Sequence, residues 1–309
     1  MKQYLDLVKT ILEQGEVRKD RTGTGTKQIF GTMERYDLRD GKLPLITTRK
    51  LGIQFMIKEL LWFLKGSGNC DYLDQQKVKI WKPWTEPTTN SIGPLYPVQL
   101  RNWPHVGVTY NGEGLKEDDR IIFKAENNDD HETIEVYERH YDQLANLIQG
   151  IKDRPHSRRH LISYWNVPYM ADETKSPHQN VLEGRAALSA CHVMLQFNVS
   201  GDELSCMLYM RSSDVMVGRP TNIAQYSILT HMIAQVCGLK AKEFIITSAD
   251  THIYLDHIPY AEELIKRQPY QSPSLVLNPE IKDIDDFKLE DFTLVNYFHG
   301  EPMKLPVAV

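Results

Sequence analysis

The strongest local pattern in this chain is a β-hairpin that is followed closely by a long apolar helix. Residues 193–199 and 204–211 have strand character and are joined by the turn residues Ser200-Gly201-Asp202. From 204 to 210 every second residue is apolar, which is the period of a half-buried strand. Residues 222–237 then follow the spacing of a buried helix. Strands and helices mixed in this way predict an α+β domain.

Similar patterns along the rest of the sequence predict further elements. Helical spacing recurs in residues 2–14, 52–64, 140–151 and 260–266, and strand patterns in residues 27–36, 43–47, 161–165, 243–247, 275–277 and 292–295. Residues 80–104 contain three tryptophans and five prolines, a composition that predicts a packed loop region. Because no repeat or shift of composition divides the 309 residues, we expect one domain over 1–309, with surface insertions at about 121–139 and 169–187.

Charge and composition exclude several classes of function. The formal net charge is −5, so the chain lacks the broad positive field of a dedicated nucleic-acid binder. No apolar run approaches the roughly 20 residues that cross a bilayer, and the N-terminus lacks the apolar middle of a signal peptide. We therefore expect a cytoplasmic protein without membrane contact. The stretch Gly23-Thr24-Gly25-Thr26-Lys27 does not match a P-loop.

The cysteine pattern argues against a metal site and against a disulfide framework. The sequence has no C-x-x-C pair and no H-E-x-x-H motif. A cysteine with a chemical role would act as a thiolate, and the candidate is Cys191, at the start of a predicted strand. Arg158-Arg159 and Arg211-Ser212 are expected to converge on it, lowering the thiol pKa and binding an anion. The competing interpretation is an inert cysteine in the core.

Other polar residues lie in apolar surroundings. Glu59 interrupts an apolar helix and is either at an exposed helix edge or a buried carboxylate of raised pKa that acts through water as an acid or base. Asn222 is either a helix cap or a reader of a base edge. The segment Asp250-Thr251-His252-Ile253-Tyr254 offers polar side chains after a strand. The apolar C-terminus, residues 304–309, predicts docking, either as a lid or by simple packing.

In this order, the motifs resemble those of the thymidylate synthase family. The matching segments are Asp20–Thr26, Glu59–Leu64, Ser157–Arg159, Cys191-His192, Arg211–Val215, Asp250–Tyr254 and Pro306–Val309. The resemblance implies an α+β domain with a large mixed β-sheet flanked by helices, the sheets packed back to back in a homodimer. It also implies reductive methylation of dUMP to dTMP with 5,10-methylenetetrahydrofolate, release of dihydrofolate, and no metal.

The resemblance further implies a role for each matching residue. Cys191 matches the nucleophile that adds to C6 of uracil. The residues matched to catalysis are Cys191, Glu59, Asn222, Tyr96 and Asp214. Those matched to dUMP are Arg21, Gln196, Arg211, Ser212, Asp214, Asn222, His252 and Tyr254, with Arg158 and Arg159 of the partner subunit. Those matched to the folate are Arg49, Trp81, Trp84, Asp214, Gly218, Thr221 and Ala308.

The sequence also departs from the family pattern, mainly on the folate side. Arg219 and Thr221 stand where Leu and Phe are usual, and Pro97, Leu100 and Ala190 replace Gly, Trp and Pro. Arg219 and Thr221 could admit water, so the nearest competing function is that of a dUMP hydroxymethylase, in which water captures the methylene intermediate. Three more distant functions are a dCMP-directed relative, which Asn222 disfavours, a thiol hydrolase using Cys191, and a non-catalytic binding protein.

Overall fold

The computed structural model of the protein describes residues 1–19, 23–127 and 132–306. The helices are α1 (Lys2–Gln14), α2 (Ile53–Phe63), α3 (Asp71–Gln75), α4 (Tyr96–Arg101), α5 (Gln143–Asp153), α6 (Pro177–Leu182), α7 (Gly218–Val236) and α8 (Ile258–Leu264). The strands are β1 (Glu16–Arg18), β2 (Thr26–Asp37), β3 (Trp103–Tyr110), β4 (Arg120–Asn127), β5 (Glu132–Tyr141), β6 (Leu161–Ser163), β7 (His192–Ser200), β8 (Glu203–Asp214), β9 (Lys240–Tyr254), β10 (Ser274–Leu277) and β11 (Phe292–Val295).

A six-stranded mixed sheet organises the fold. Its strand order is β1-β2-β9-β8-β7-β6, with β8 and β9 parallel and all other neighbours antiparallel. The parallel pair needs a long crossover, which α7 supplies. The predicted α+β domain with a large mixed sheet is therefore confirmed.

One face of this sheet is fully buried. Leu195, Leu208 and Ile246 lie directly opposite one another across β7, β8 and β9, and none has exposed surface. The helix α7 packs on β8 and β9, and α2 packs on α7. Because α7 lies between a sheet and a second helix, most of its side chains are buried around its whole circumference.

The opposite face of the sheet is apolar but uncovered in the single chain. Met33, Thr247, Tyr209 and Met194 lie opposite one another across four strands; Met33 is 58% exposed and the other three are half-buried. Phe30, also on β2, is 80% exposed. An apolar sheet face of this extent is typical of an interaction surface.

Two of the predicted elements are wrong. Residues 43–47 are buried but form no strand, because their backbone is bonded within loops, as from the Leu43 amide to the Pro273 carbonyl. The predicted loop over residues 80–104 contains α4 and the start of β3. Pro97 lies in the first turn of α4, where its missing N–H costs no helical hydrogen bond.

The two segments predicted as insertions also contain regular structure. β3, β5 and β4 form a separate antiparallel sheet, and β4 and β5 cover most of the first segment. The second segment contains α6, which starts with a capping box between Ser176 and Gln179. Their extent as insertions stays a prediction. Among the helices of the described ranges, none is long and apolar enough to cross a membrane.

Candidate active site

Cys191 lies just before β7, where two cavities meet. The first has a volume of about 440 Å³ and the second about 570 Å³. Both are lined by Trp81, Tyr96, Leu188, Cys191 and Ser212. The thiol is therefore accessible from two binding spaces.

Fixed polar groups surround Cys191. Its backbone N–H donates to the Tyr96 hydroxyl at 2.9 Å. An Arg211 Nη2 atom lies 3.8 Å from Sγ, and the same guanidinium donates to the carbonyls of Ser189 and Ala190, each at 2.8 Å. Arg211 therefore lies close to the sulfur, as predicted. Its hydrogen bonds to backbone carbonyls hold the guanidinium there.

The expected lowering of the Cys191 pKa is wrong for the single chain. Burial raises the pKa of this thiol, Arg211 opposes the rise and Asp250 adds to it. Because the largest effect is burial, the group is a thiol rather than a thiolate near neutral pH. One nearby guanidinium does not offset the cost of burying a charge here.

Arg158 and Arg159 do not converge with Arg211 on Cys191 within one chain, so that part of the prediction is wrong for the single chain. Arg159 lines a separate cavity with Trp103 and Tyr141. The Arg158 carbonyl accepts a hydrogen bond from the Gln196 amide at 3.2 Å. Gln196 lies opposite Met207 on the uncovered face of the sheet. None of Arg158, Arg159 and Gln196 lines either cavity at Cys191.

The first cavity contains four of the residues matched to the nucleotide, whereas Asp214 and Asn222 line the second cavity. Arg211, Ser212, His252 and Tyr254 line the first cavity, together with Arg18 and Lys19. Nδ1 of His252 lies 2.5 Å from the Asp250 carboxylate. Arg21 falls outside the described residues. Asp172, Glu173 and Asp250 also line the first cavity. Beside these carboxylates the cavity offers cationic, hydroxyl and imidazole groups, which are suitable partners for a phosphorylated sugar.

Glu59 lies in the wall of the second cavity, and the exposed-edge interpretation is wrong. The carboxylate is buried, with Oε1 accepting from Trp81 Nε1 at 2.7 Å and Oε2 from Gln225 Nε2 at 2.6 Å. Burial raises the pKa of Glu59 to about 7, while the hydrogen bonds from Gln225 and Trp81 act in the opposite direction. A carboxyl with this pKa can both give and take a proton near neutral pH.

Asn222 lies inside α7, so it does not cap that helix. Its Nδ2 is 2.8 Å from His192 Nε2, and the Tyr226 hydroxyl is 2.8 Å from His192 Nδ1. Burial lowers the pKa of His192 to about 3, so the ring is neutral. The ring also stacks on Tyr96, with centroids 4.5 Å apart. His192 thus orients Asn222, and both ring nitrogens have partners other than the thiol, which argues against a thiol hydrolase.

The start of α7 forms another wall of the second cavity. Asp214 Oδ1 accepts from the backbone N–H groups of Met216 and Val217 at 2.9 and 3.2 Å, which fixes the turn between β8 and α7. A guanidinium nitrogen of Arg49 donates to the Met216 carbonyl. The predicted folate residues that line this cavity, with Asp214, are Arg49, Trp81, Trp84, Gly218 and Thr221.

Arg219, between two of these lining residues, points into the protein interior. Its side chain has no exposed surface and is bonded to Glu34 and to two serine hydroxyls. It therefore gives no route for water into the cavity, and of the two substitutions expected to admit water only Thr221 faces it.

The apolar C-terminal segment docks at the second cavity. Met303 and Leu305 line it, and His257 Nε2 lies 2.7 Å from the Pro306 carbonyl oxygen. Ala308 falls outside the described residues. The docking expected from sequence is therefore present up to residue 306.

Sequence reasoning missed Gln225 and Tyr226, which contact Glu59 and His192, and it named Asp250 without assigning it the contact with His252. Gln225 is three residues after Asn222 on the same helix, so a helical wheel would have placed both on one face. Asp250 is two residues before His252 on a strand, which puts both side chains on one face. Tyr226 is four residues after Asn222, so the same helical spacing would have placed it near Asn222 as well.

A comparison with known protein families completes the description of the site. The profile of the family described as thymidylate synthase matches residues 2–309. In the described part of the chain, no group of three or more His, Cys, Asp or Glu side chains is arranged to hold a metal ion.

Proposed function

The chain belongs to the thymidylate synthase family, and we propose that it methylates dUMP reductively to dTMP, with 5,10-methylenetetrahydrofolate as co-substrate and dihydrofolate as second product. The supporting observation is the position of Cys191 between two cavities. One carries Arg211 and Ser212, which suit a phosphate, and the other carries the buried Glu59 beside tryptophan rings. A nucleophile that must act on one substrate while a second approaches needs such a junction.

The phosphate and sugar of the nucleotide occupy the first cavity, and its pyrimidine ring extends past Cys191 to the second, which Asn222 lines. Arg211, Ser212 and Arg21 bind the phosphate, with Arg158 and Arg159 of the partner subunit, and His252 and Tyr254 bind the 3′-hydroxyl of the deoxyribose. Asn222 reads the pyrimidine edge. One of its amide hydrogens is directed to His192, which leaves the other hydrogen for O4 and its oxygen for N3–H. Uracil satisfies this pattern and cytosine does not.

The active form is a homodimer joined through the uncovered sheet face. Exposed Phe30 and Met33 support this, because sheet-on-sheet packing would bury them. Gln196 lies on that face and donates to the Arg158 carbonyl. It therefore acts on dUMP indirectly, by holding Arg158 and Arg159 in position. Guanidinium groups from the partner would add positive charge near Cys191 and favour the thiolate that the single chain does not stabilise.

The protein groups then carry out three tasks. Cys191 forms a bond to C6 of the uracil, which makes C5 a carbon nucleophile. Tyr96 and Arg211 hold Cys191 through the contacts described above, and Asp214 fixes the turn from which α7 presents Asn222. Glu59, half protonated near pH 7, orders water and moves protons at O4 and C5.

The second cavity fits a reduced folate. Trp81 and Trp84 supply aromatic walls, Gly218 and Thr221 lie at the start of α7, and the Arg49 Nε atom is buried without a partner among the described residues. An aromatic ring system with an acidic tail suits this combination. The folate supplies the one-carbon unit and the hydride. The C-terminal segment, with Ala308 near its end, excludes water from the cavity.

A dUMP hydroxymethylase is the second candidate, and Thr221 favours it because a hydroxyl at the cavity wall can hold a water molecule. The test is to incubate the enzyme with dUMP and 5,10-methylenetetrahydrofolate and to follow dihydrofolate absorbance. Reductive methylation gives a rise and dTMP, whereas hydroxymethylation leaves tetrahydrofolate and gives no rise.

Two cysteine variants complete the test. Cys191→Ser is expected to abolish turnover and to leave dUMP binding largely unchanged. The matched control is Cys237→Ser, whose half-buried thiol lies at the end of α7 near the Ile148 carbonyl and should leave turnover unchanged. Normal turnover by Cys191→Ser would refute the proposed nucleophile.

A further inference from the structure

Gln225 connects the central helix α7 to α2 at the point where Glu59 lies. Its side chain is 2% exposed, and Nε2 donates to the Met56 carbonyl at 3.1 Å and to Glu59 Oε2 at 2.6 Å. A carbonyl oxygen only accepts, so the atom facing both oxygens must be the amide nitrogen. Two hydrogen bonds to one helix fix the orientation of the amide.

The two protein partners of Glu59 share a chemical property that limits where its proton can go. The Trp81 indole N–H and the Gln225 amide nitrogen are donors that cannot accept a proton. Each is bonded to a different oxygen of the carboxyl group. A proton bound to Glu59 therefore cannot pass to either partner, and its exchange must take place on the side that faces the second cavity.

We infer that Gln225 is a positioning residue that aims the Glu59 carboxyl into the second cavity, so that Glu59 exchanges its proton only there. The inference rests on the proposed function, in which Glu59 moves protons at the nucleotide. Trp81 holds the other oxygen, and Gln225 prevents the carboxyl group from rotating about that single hydrogen bond. Without Gln225, Oε2 would need a water molecule or another rotamer to satisfy it.

The Gln225 amide also affects the pKa of Glu59, which can be measured. Hydrogen bonds to the ionised form favour it, so the Gln225 amide opposes the rise in the Glu59 pKa that burial causes. The titratable and charged groups that line the same cavity are Arg49, Lys50, Tyr96, Cys191, His192 and Asp214. On α2 itself, Lys58 is bonded to the Gln76 carbonyl. The causes of the Glu59 shift are burial, Gln225 and Trp81, and none of these charged groups is among them.

The test is to titrate Glu59 directly in a Gln225→Met variant, which keeps the length of the side chain and removes the donor. Protein labelled with ¹³C at the glutamate carboxyl would be titrated by NMR, with Glu59→Gln identifying the resonance. We expect the Glu59 pKa to rise by about one unit, the usual size for loss of one hydrogen bond to a buried carboxylate. An unchanged pKa would overturn the inference.

The matched control is Gln235→Met on the same helix. Gln235 Nε2 also donates to two backbone carbonyls, those of Asn278 and Ile281, but it does not contact Glu59. This variant should leave the Glu59 titration unchanged, and an equal rise in both variants would also overturn the inference. If Gln225→Met does not fold, Gln225→Glu provides the measurement, because two adjacent carboxyls should keep one proton well above pH 7.

Kinetics give a second readout. In Gln225→Met the kcat of dTMP formation at pH 7 should fall about tenfold, which is less than the roughly 10²–10⁴-fold contribution of an acid–base group itself, because Glu59 is still present. The KM for dUMP should stay within about twofold. In the pH dependence of kcat, the apparent pKa that belongs to Glu59 should shift by the same amount as the pKa measured by NMR. The NMR titration needs no turnover. It would therefore still test the role of Gln225 if the protein did not form dTMP.

Discussion

Arg219 and Glu34 form a buried ion pair between α7 and β2. Nη2 lies 2.8 and 2.7 Å from the two carboxylate oxygens, and Nε lies 3.0 Å from Oε2. Nη1 donates to the hydroxyls of Ser213 on β8 and Ser248 on β9, at 2.9 and 2.7 Å. Five hydrogen bonds thus hold the guanidinium group. One side chain joins the start of α7 to three neighbouring strands, next to the residues that line the second cavity.

Removing only the cation of this pair should destabilise the protein strongly. Arg219→Leu leaves the Glu34 carboxylate buried without a counterion, and we expect a loss of about 3–5 kcal/mol in the free energy of unfolding. The double variant Glu34→Met/Arg219→Leu removes both charges and should regain most of that loss. Urea denaturation of the three proteins measures the difference, and a double variant no more stable than Arg219→Leu would contradict this account.

Two inactive variants should complement each other if the active site is shared. Arg158→Ala would lack the arginine that one subunit lends to its partner, and Cys191→Ser would lack the nucleophile. In a mixed dimer, the site with Cys191 would receive Arg158 of the partner subunit and be intact. Random reassortment of equal amounts makes about half of the dimers mixed, each with one working site, so about a quarter of wild-type activity should return.

Complementation is measured as dihydrofolate formation after unfolding and refolding the two variants together. Refolding each alone and then mixing is the control, since exchange of subunits is then limited. If the co-refolded mixture is no more active than the sum of its parts, the sharing of Arg158 between subunits is refuted.

His192 should make the protein less stable in mild acid. Its pKa is about 3 in the folded chain against a usual 6.5, because burial disfavours the charged ring. Between these values the unfolded chain binds a proton that the folded chain does not, so the free energy of unfolding falls as pH is lowered from 6.5 towards 3. The loss from this group is about 2 kcal/mol at pH 5.

The contribution of His192 can be separated from that of the carboxylates by comparing variants. Urea denaturation at pH 7.5 and pH 5 should show a smaller loss in His192→Gln than in the wild-type protein, by about 2 kcal/mol. His140→Gln, which changes an exposed ring, is the control and should behave as wild type. An equal loss in all three would show that His192 is protonated in the folded state.

The C-terminal segment should affect the folate but not the nucleotide. Leu305 lines the second cavity and is absent from the lining of the first. Leu305→Ala removes apolar contact worth about 1 kcal/mol, so we expect the KM for the folate to rise about fivefold and the Kd for dUMP to stay unchanged. Leu182→Ala, at a side chain that is 68% exposed, is the control. Equal weakening of dUMP binding would contradict docking at the folate side alone.

The local elements were predictable where one physical pattern dominated. The period of two from Leu204 to Met210 matched a strand with one buried face, and the apolar stripe of residues 2–14 matched α1. The pattern failed at residues 43–47, because apolar residues are buried there without pairing in a sheet. It also failed at α4, where proline-rich sequence indicated a loop although a proline in the first helical turn is compatible with a helix.

The sequence by itself determined the fold class, the family and the types of side chain available for chemistry, because hydrophobic period and motif order are written along the chain. The tertiary structure alone decided how those side chains behave. Burial and the amide of Gln225 set the pKa of Glu59, neutral His192 orients Asn222, and Glu34 draws Arg219 into the interior. Protonation and orientation depend on neighbours that are distant in sequence and meet only when the chain folds.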